Sequence, residues 1–172
     1  MLSYKNDKDK IYGATGMAVS LVVMDGDEYL DGVNVDAEPH AIISLTDDYY
    51  FPGNPDVSAR SAWNVILKHF NLAASMAIAN VVCRSLLLDR MEPTAETRKC
   101  LRDYVVEDAA ESCSLEQDEA EALFAKRYNY FTRVFAHPGV QQVANEFAHT
   151  LEAHRSLSRL EVLEALRALA ML

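Results

Sequence analysis

The sequence has few of the residues from which compact reactive or metal-binding motifs are built. It contains 3 cysteines in 172 residues, Cys83, Cys100 and Cys113, and no two of them are close enough for a zinc knuckle or a thioredoxin-type motif. Its 6 glycines form neither a phosphate-binding loop, nor a dinucleotide-binding turn, nor the Gly-x-Ser-x-Gly elbow of hydrolases. We therefore predict no nucleophilic catalysis and no cofactor.

Positive charge is also scarce. The chain has 16 Lys and Arg against 26 Asp and Glu, a formal net charge of -10, which opposes attraction to nucleic acid and to anionic lipid. Two short basic clusters stand out, namely Arg98, Lys99 and Arg102, and Lys126, Arg127 and Arg133. Because acidic residues stand close to both, we interpret them as solvated helix faces and predict no binding to nucleic acid or membrane.

Long hydrophobic runs and a secretory leader are absent as well. The uncharged stretch at residues 70–83 is shorter than the roughly 18 to 20 residues that a bilayer span needs. Asp7 and Asp9 dilute the lysines near the start, and acidic residues at 25–28 replace a small-residue cleavage site. With an odd number of cysteines expected to be reduced, a cytoplasmic location is the prediction.

The overall composition is that of an ordinary globular protein. Apolar residues make up 50% of the chain and charged residues 24%, and a chain of this length is expected to build one core. There is no internal repeat and no linker. We predict one helical domain over residues 1–172, in which an N-terminal portion, 1–53, packs on a helical core, 54–172.

The clearest predicted element is a long helix over residues 54–90. Asn54 followed by Pro55 is typical of a helix start. Most of the predicted helix is apolar, and one face gathers Trp63, Phe70, Ala74 and Val81. We expect it to be a buried central helix that other helices cover on more than one side.

Four further helices are predicted after it. Pro93 allows a helix over 94–111, and Ser114 with Gln117 is a capping box that starts the next. On that helix an aromatic stripe at helical spacing is expected to be core: Phe124, Tyr128, Phe131 and Phe135. A break at Pro138 and Gly139 precedes a helix over 140–154, and a capping box of Ser158 with Glu161 starts the last.

The first third predicts a small β-hairpin. Residues 32–36 and 41–46 alternate as strands do, and residues 37–40 suit a turn. Residues 11–24 are either a helix packed closely through Gly13 and Gly16 or a strand, and we favour the helix; residues 47–54 are expected to be a loop. The predicted fold class is mostly α: a bundle of about five helices around a long central helix, with a small N-terminal β-hairpin.

One polar set on the central helix suggests a ligand site. His69, Asn80 and Arg84 project to the same side of the helix. Arg84 suits a carboxylate or phosphate, Asn80 would fix orientation, and His69 would titrate near neutrality; Tyr49 and Tyr50 would edge the pocket. The alternative is that acidic side chains of neighbouring helices pair with this set, since buried polar groups need partners.

Metal sites have little support. Glu146 and His149 have the Glu-x-x-His spacing of di-iron bundles, but such sites need two copies and the chain has one. The aspartates near residue 48 lack the spacing of a calcium-binding loop.

Two functions remain. The first is a protein-interaction or regulatory module that forms homo-oligomers or docks another protein. The alternative is a small-molecule binding protein, or an enzyme, that takes an anionic ligand along His69, Asn80 and Arg84.

Overall fold

Helices account for most of the chain. In the computed structural model, which describes residues 3–50 and 58–172, these residues form seven α-helices and one three-stranded antiparallel sheet. The helices are α1 (Asp7–Val23), α2 (Asp47–Tyr50), α3 (Ala59–Cys83), α4 (Ala95–Cys113), α5 (Gln117–Ala136), α6 (Pro138–His154) and α7 (Arg159–Leu166). The strands are β1 (Leu30–Asn34), β2 (Ile43–Leu45) and β3 (Ser156–Ser158). The predicted class, a mostly helical bundle around a long central helix with a small N-terminal hairpin, is confirmed.

The central helix is α3. It begins after Ser58, whose hydroxyl accepts a hydrogen bond from the Ser61 amide, and it continues beyond Cys83 through one wider turn, Arg84–Leu88. The predicted end near residue 90 is therefore confirmed to within a turn. The predicted start at Asn54 and Pro55 lies outside the described residues. Helices α1, α4 and α5 all pack against α3, which confirms that it is covered on more than one side.

Helix α1 is held unusually close to α3. A Cβ atom added at Gly16 would overlap the backbone oxygen of Ala79 and would lie 2.7 Å from Cβ of Cys83. One added at Gly13 would lie 2.9 Å from the amide nitrogen of Asn80. The helix predicted for residues 11–24 is thus confirmed, and the two glycines are where it touches its neighbour.

The start of α5 differs from the prediction. Ser114 does not begin a helix, since it has a left-handed backbone (φ 49°) and ends α4. The capping box is formed instead by Glu116 and Glu119, whose side chains each accept from the other's backbone amide. A carboxylate thus takes the role predicted for the Ser114 hydroxyl, because Ser114 is used to turn the chain. The aromatic stripe on α5 is buried as predicted.

The sheet joins residues 30–45 to residues 156–158. Strands β1 and β2 form the predicted hairpin, with Val33 opposite Ile43. On its other edge β1 pairs with β3, where Val33 is opposite Leu157, and this third strand was not predicted. The region 47–54 was expected to be a loop; its described part contains the short helix α2.

Burial along α3 is uneven. Phe70, Ala74 and Val81 are buried as predicted, but Trp63, which was expected to join them, is 41% exposed. The continuous helix Arg60–Leu88 is long and apolar enough to cross a membrane by length and composition, with a mean hydropathy of 1.5, yet 61% of the 18-residue window that meets this criterion is buried within the protein. The core helix of a soluble protein passes the same test, so this finding is weak evidence for a membrane span.

Candidate functional site

The three polar residues predicted to share a site are separated along α3. His69 and Arg84 are fifteen positions apart in the sequence, which at ~1.5 Å per residue is ~22 Å along the helix axis. They do face the same side, but they meet different neighbours. Arg84 and Asn80 contact the N-terminal segment and α1, whereas His69 contacts the segment around α2. One small ligand therefore cannot touch all three.

Arg84 is held in an ion pair that is largely buried. Its guanidinium donates to Oδ2 of Asp9 at 2.7 Å, and the two side chains are 12% and 2% exposed. It also donates to the backbone oxygen of Ser3 and lies over the ring of Tyr4. The sequence did not identify Asp9 as the partner, although Asp9 is a buried acid on an apolar helix. Because a charge this deeply buried needs a counter-ion, the pair fixes the start of α1 on the end of α3.

Asn80 completes this contact. Its amide donates to the hydroxyl of Tyr4 at 2.9 Å, in the space that Gly13 leaves open. Burial is the main reason that the pKa of Tyr4 is raised, so the hydroxyl stays protonated. Among the described residues Oδ1 of Asn80 and Nε of Arg84 have no hydrogen-bond partner. The role of Asn80 is thus to orient Tyr4 beneath the ion pair.

A cleft of about 510 Å³ opens beside the ion pair, between the N-terminal segment, the end of α3 and α4. Its lining includes the apolar side chains of Val81 and Leu101 and the exposed Cys100. Its charged lining comprises two cations, Lys5 and Arg84, and four carboxylates, Asp9, Asp89, Glu92 and Glu96. Since Lys5 and Arg84 pair with two of these acids, the cleft has an excess of negative charge.

His69 belongs to an aromatic cluster. Its ring stacks on Tyr49 with centroids 4.6 Å apart and meets the ring of Tyr29 edge-on, while the Tyr49 hydroxyl donates to the His69 carbonyl. Burial raises the pKa of Tyr49 to about 12. Burial is the main reason that the pKa of His69 is lowered, and the charge of Lys68 lowers it further. Tyr49 therefore packs against a neutral imidazole of His69.

Exposed apolar side chains collect at the start of α3. Trp63 is 41% and Ile66 40% exposed, and Tyr50, which packs edge-on against Tyr49 at the end of α2, is 58% exposed. We call Trp63 and Ile66, which are one turn apart on α3, the α3 ridge. Sequence reasoning assigned Trp63 to the core because it shares a face with Phe70. The sequence feature that sets this region apart is the absence of acidic residues at 57–88, in a chain with 26 Asp and Glu.

Groups suited to covalent or metal chemistry are not assembled in the part of the chain that the structure describes. No cluster of three or more His, Cys, Asp or Glu side chains is found there that would hold a metal ion. Cys83 is buried, and this burial raises the pKa of its thiol well above the usual value. A thiol that remains protonated is a poor nucleophile.

No protein-family model, no curated protein and no solved structure matches the chain.

Proposed function

We propose that the protein is a helical protein-interaction module and that the α3 ridge is its docking surface. The observation that carries the proposal is the exposure of Trp63 and Ile66, two large apolar side chains one turn apart on the central helix. Tryptophan is among the residues that contribute most to protein interfaces when a partner buries them. Exposed apolar side chains that cluster are typical of interaction sites.

The ridge continues a face that is buried elsewhere. At 100° per residue Trp63 lies within about 20° of Phe70, and Phe70 is 4% exposed. A partner that continued the bundle would therefore meet an apolar surface already shaped for helix packing.

The partner that we propose is a second copy of this chain. With a net charge of -10, two copies repel each other over most of their surface. The acid-free segment 57–88 is where this repulsion is weakest, so a contact between two copies is least opposed there. A symmetric contact would place like apolar side chains together across a two-fold axis.

Self-association is measurable with the protein alone. Trp63 is the single tryptophan, so its emission reports the ridge directly. We expect the sedimentation coefficient to rise with protein concentration, and the emission to shift to the blue over the same range. Ile66→Glu should weaken association at least about tenfold, because it introduces charge into an apolar contact.

The matched control is Leu160→Glu, which makes the same change at an apolar residue on α7 that is 79% exposed. It should leave association unchanged. A wild-type protein that stays monomeric at high micromolar concentration with constant Trp63 emission would contradict the proposal. So would equal effects of the two substitutions.

A second candidate function is small-molecule binding in the cleft beside Arg84, which its volume of about 510 Å³ favours. The excess of carboxylates supports a ligand with positive charge over the anionic ligand predicted from Arg84 alone. Spermidine should then raise the thermal midpoint more than citrate does at equal ionic strength. An equal response to both, or none, would count against this candidate.

A further inference from the structure

A second concave surface lies at the opposite end of α1 from the ion pair. This groove, of about 650 Å³, is formed by the end of α1, the end of α5, the start of α6 and the C-terminal residues. Its apolar walls are Val22, Val23, Val134, Val140, Leu169 and Leu172. The Tyr130 hydroxyl donates to the Val23 carbonyl and ties α1 to α5 at its edge. We call it the C-terminal groove; its size is that of a small-molecule site.

The groove carries a cation that is not neutralised. Arg133 lines it, and no described carboxylate lies within 4.0 Å of its guanidinium. Asp25 also lines the groove, but it is exposed and does not pair with Arg133. In a protein with ten more acids than bases, an arginine beside an apolar groove without an acidic partner is available to an anion from solution.

His137 adds a second polar group on the same wall. Its Nδ1 accepts a hydrogen bond from the Gly139 amide at 3.2 Å, which fixes the ring and leaves Nε2 to donate. Arg133 and His137 are one turn apart at the end of α5, so both lie on the side where that helix meets the groove. Two donors beside an apolar body match a ligand with one polar end.

We infer that the C-terminal groove binds an amphipathic organic monocarboxylate, whose carboxylate pairs with Arg133 and whose aliphatic body lies between the valine and leucine walls. Arginine presents paired donors that match a carboxylate, and each buried methylene strengthens binding about fourfold. This site shares no residue with the α3 ridge, so it stands or falls independently of the proposed function.

The test is calorimetric titration of the full chain with dodecanoate below its micellar concentration. Decanoate, which is two methylenes shorter, should bind about fifteenfold more weakly. Arg133→Gln should weaken dodecanoate binding about fivefold to tenfold and leave dodecanol binding unchanged. The matched control Arg102→Gln removes the same charge from α4, where Arg102 pairs with Asp103, and should have no effect.

Two more variants identify where the ligand sits. Ala170 lines the groove and is exposed, so Ala170→Trp should fill the groove and abolish binding, while circular dichroism confirms that the protein is folded. Ile66→Glu on the ridge should not affect dodecanoate.

The inference is overturned if folded wild-type protein binds no dodecanoate, or if dodecanol binds as tightly as dodecanoate. It is also overturned if Arg133→Gln behaves as Arg102→Gln does. Binding to anionic vesicles that Arg133→Gln weakens, without binding of free dodecanoate, would assign the groove to a membrane surface instead and reject the free acid.

Discussion

Replacing Gly16 by alanine should separate α1 from α3. The new methyl group would overlap the Ala79 backbone oxygen and would lie 2.7 Å from Cβ of Cys83. The oxygen is part of the central helix and cannot rotate away, so we take the upper end of the usual overpacking cost, about 3 kcal/mol. Alanine regains about 1 kcal/mol of helix propensity. The free energy of unfolding should therefore fall by about 2 kcal/mol, which lowers the thermal midpoint by roughly 4 to 8 °C.

The measurement is urea unfolding followed by circular dichroism and by Trp63 emission. Gly139→Ala is the matched control. A Cβ there would lie 2.8 Å from the end of the Leu172 side chain, which is 60% exposed and free to move, so the change should be neutral or stabilising by up to about 1 kcal/mol. If Gly16→Ala proves as stable as Gly139→Ala, the close helix contact has been misjudged.

Three further predictions concern buried polar groups and thiols. Arg84→Met should lower the free energy of unfolding by about 3 kcal/mol, because it leaves the Asp9 carboxylate buried without a counter-ion. The double variant Arg84→Met with Asp9→Leu should recover much of that loss. A double variant whose loss of stability equals the sum of the two single losses would refute this. Burial lowers the pKa of His69 below its ordinary 6.5, so the unfolded chain gains its proton first as the pH falls. Stability should therefore decrease as the pH falls through 6.5, and less so in His69→Gln; parallel pH profiles would contradict it. A thiol reagent should modify one cysteine of the native protein, Cys100, because Cys83 and Cys113 are buried. After denaturation it should modify all three. Rapid reaction of a second thiol in the native protein would contradict this prediction.

Local patterns predicted the helices well. The break at Pro138 depends on the missing backbone N–H of proline, and the capping box of Ser158 with Glu161 depends on side chains that act on backbone amides three residues away; both are observed. Gly13 and Gly16 allowed the close packing of α1 to be predicted, because a neighbouring helix can approach more closely where a residue has no side chain.

Those local patterns do not predict contacts between residues that are far apart in the sequence. The pairing of Asp9 with Arg84 joins residues 75 positions apart, and no spacing rule connects them. The exposure of Trp63 depends on where the neighbouring helices end, and the spacing of apolar residues along α3 does not predict those ends. His69, Asn80 and Arg84 share one side in a helical projection, but such a projection discards the distance along the helix axis, and that distance divides the set.

Strand β3 affects the order in which the molecule can assemble. Gly32 pairs with Ser158, and the Val35 amide donates to the Arg155 carbonyl. One edge of the hairpin therefore stays unpaired until β3 has been synthesised, and Ser158 lies more than 120 residues after Gly32. During synthesis on the ribosome that edge has open backbone groups until residues 156–158 have emerged. Contacts so distant in sequence are slow to form. An open strand edge is also where a nascent chain is most prone to pair wrongly, and a chain that stops short of residue 156 would leave it open for good.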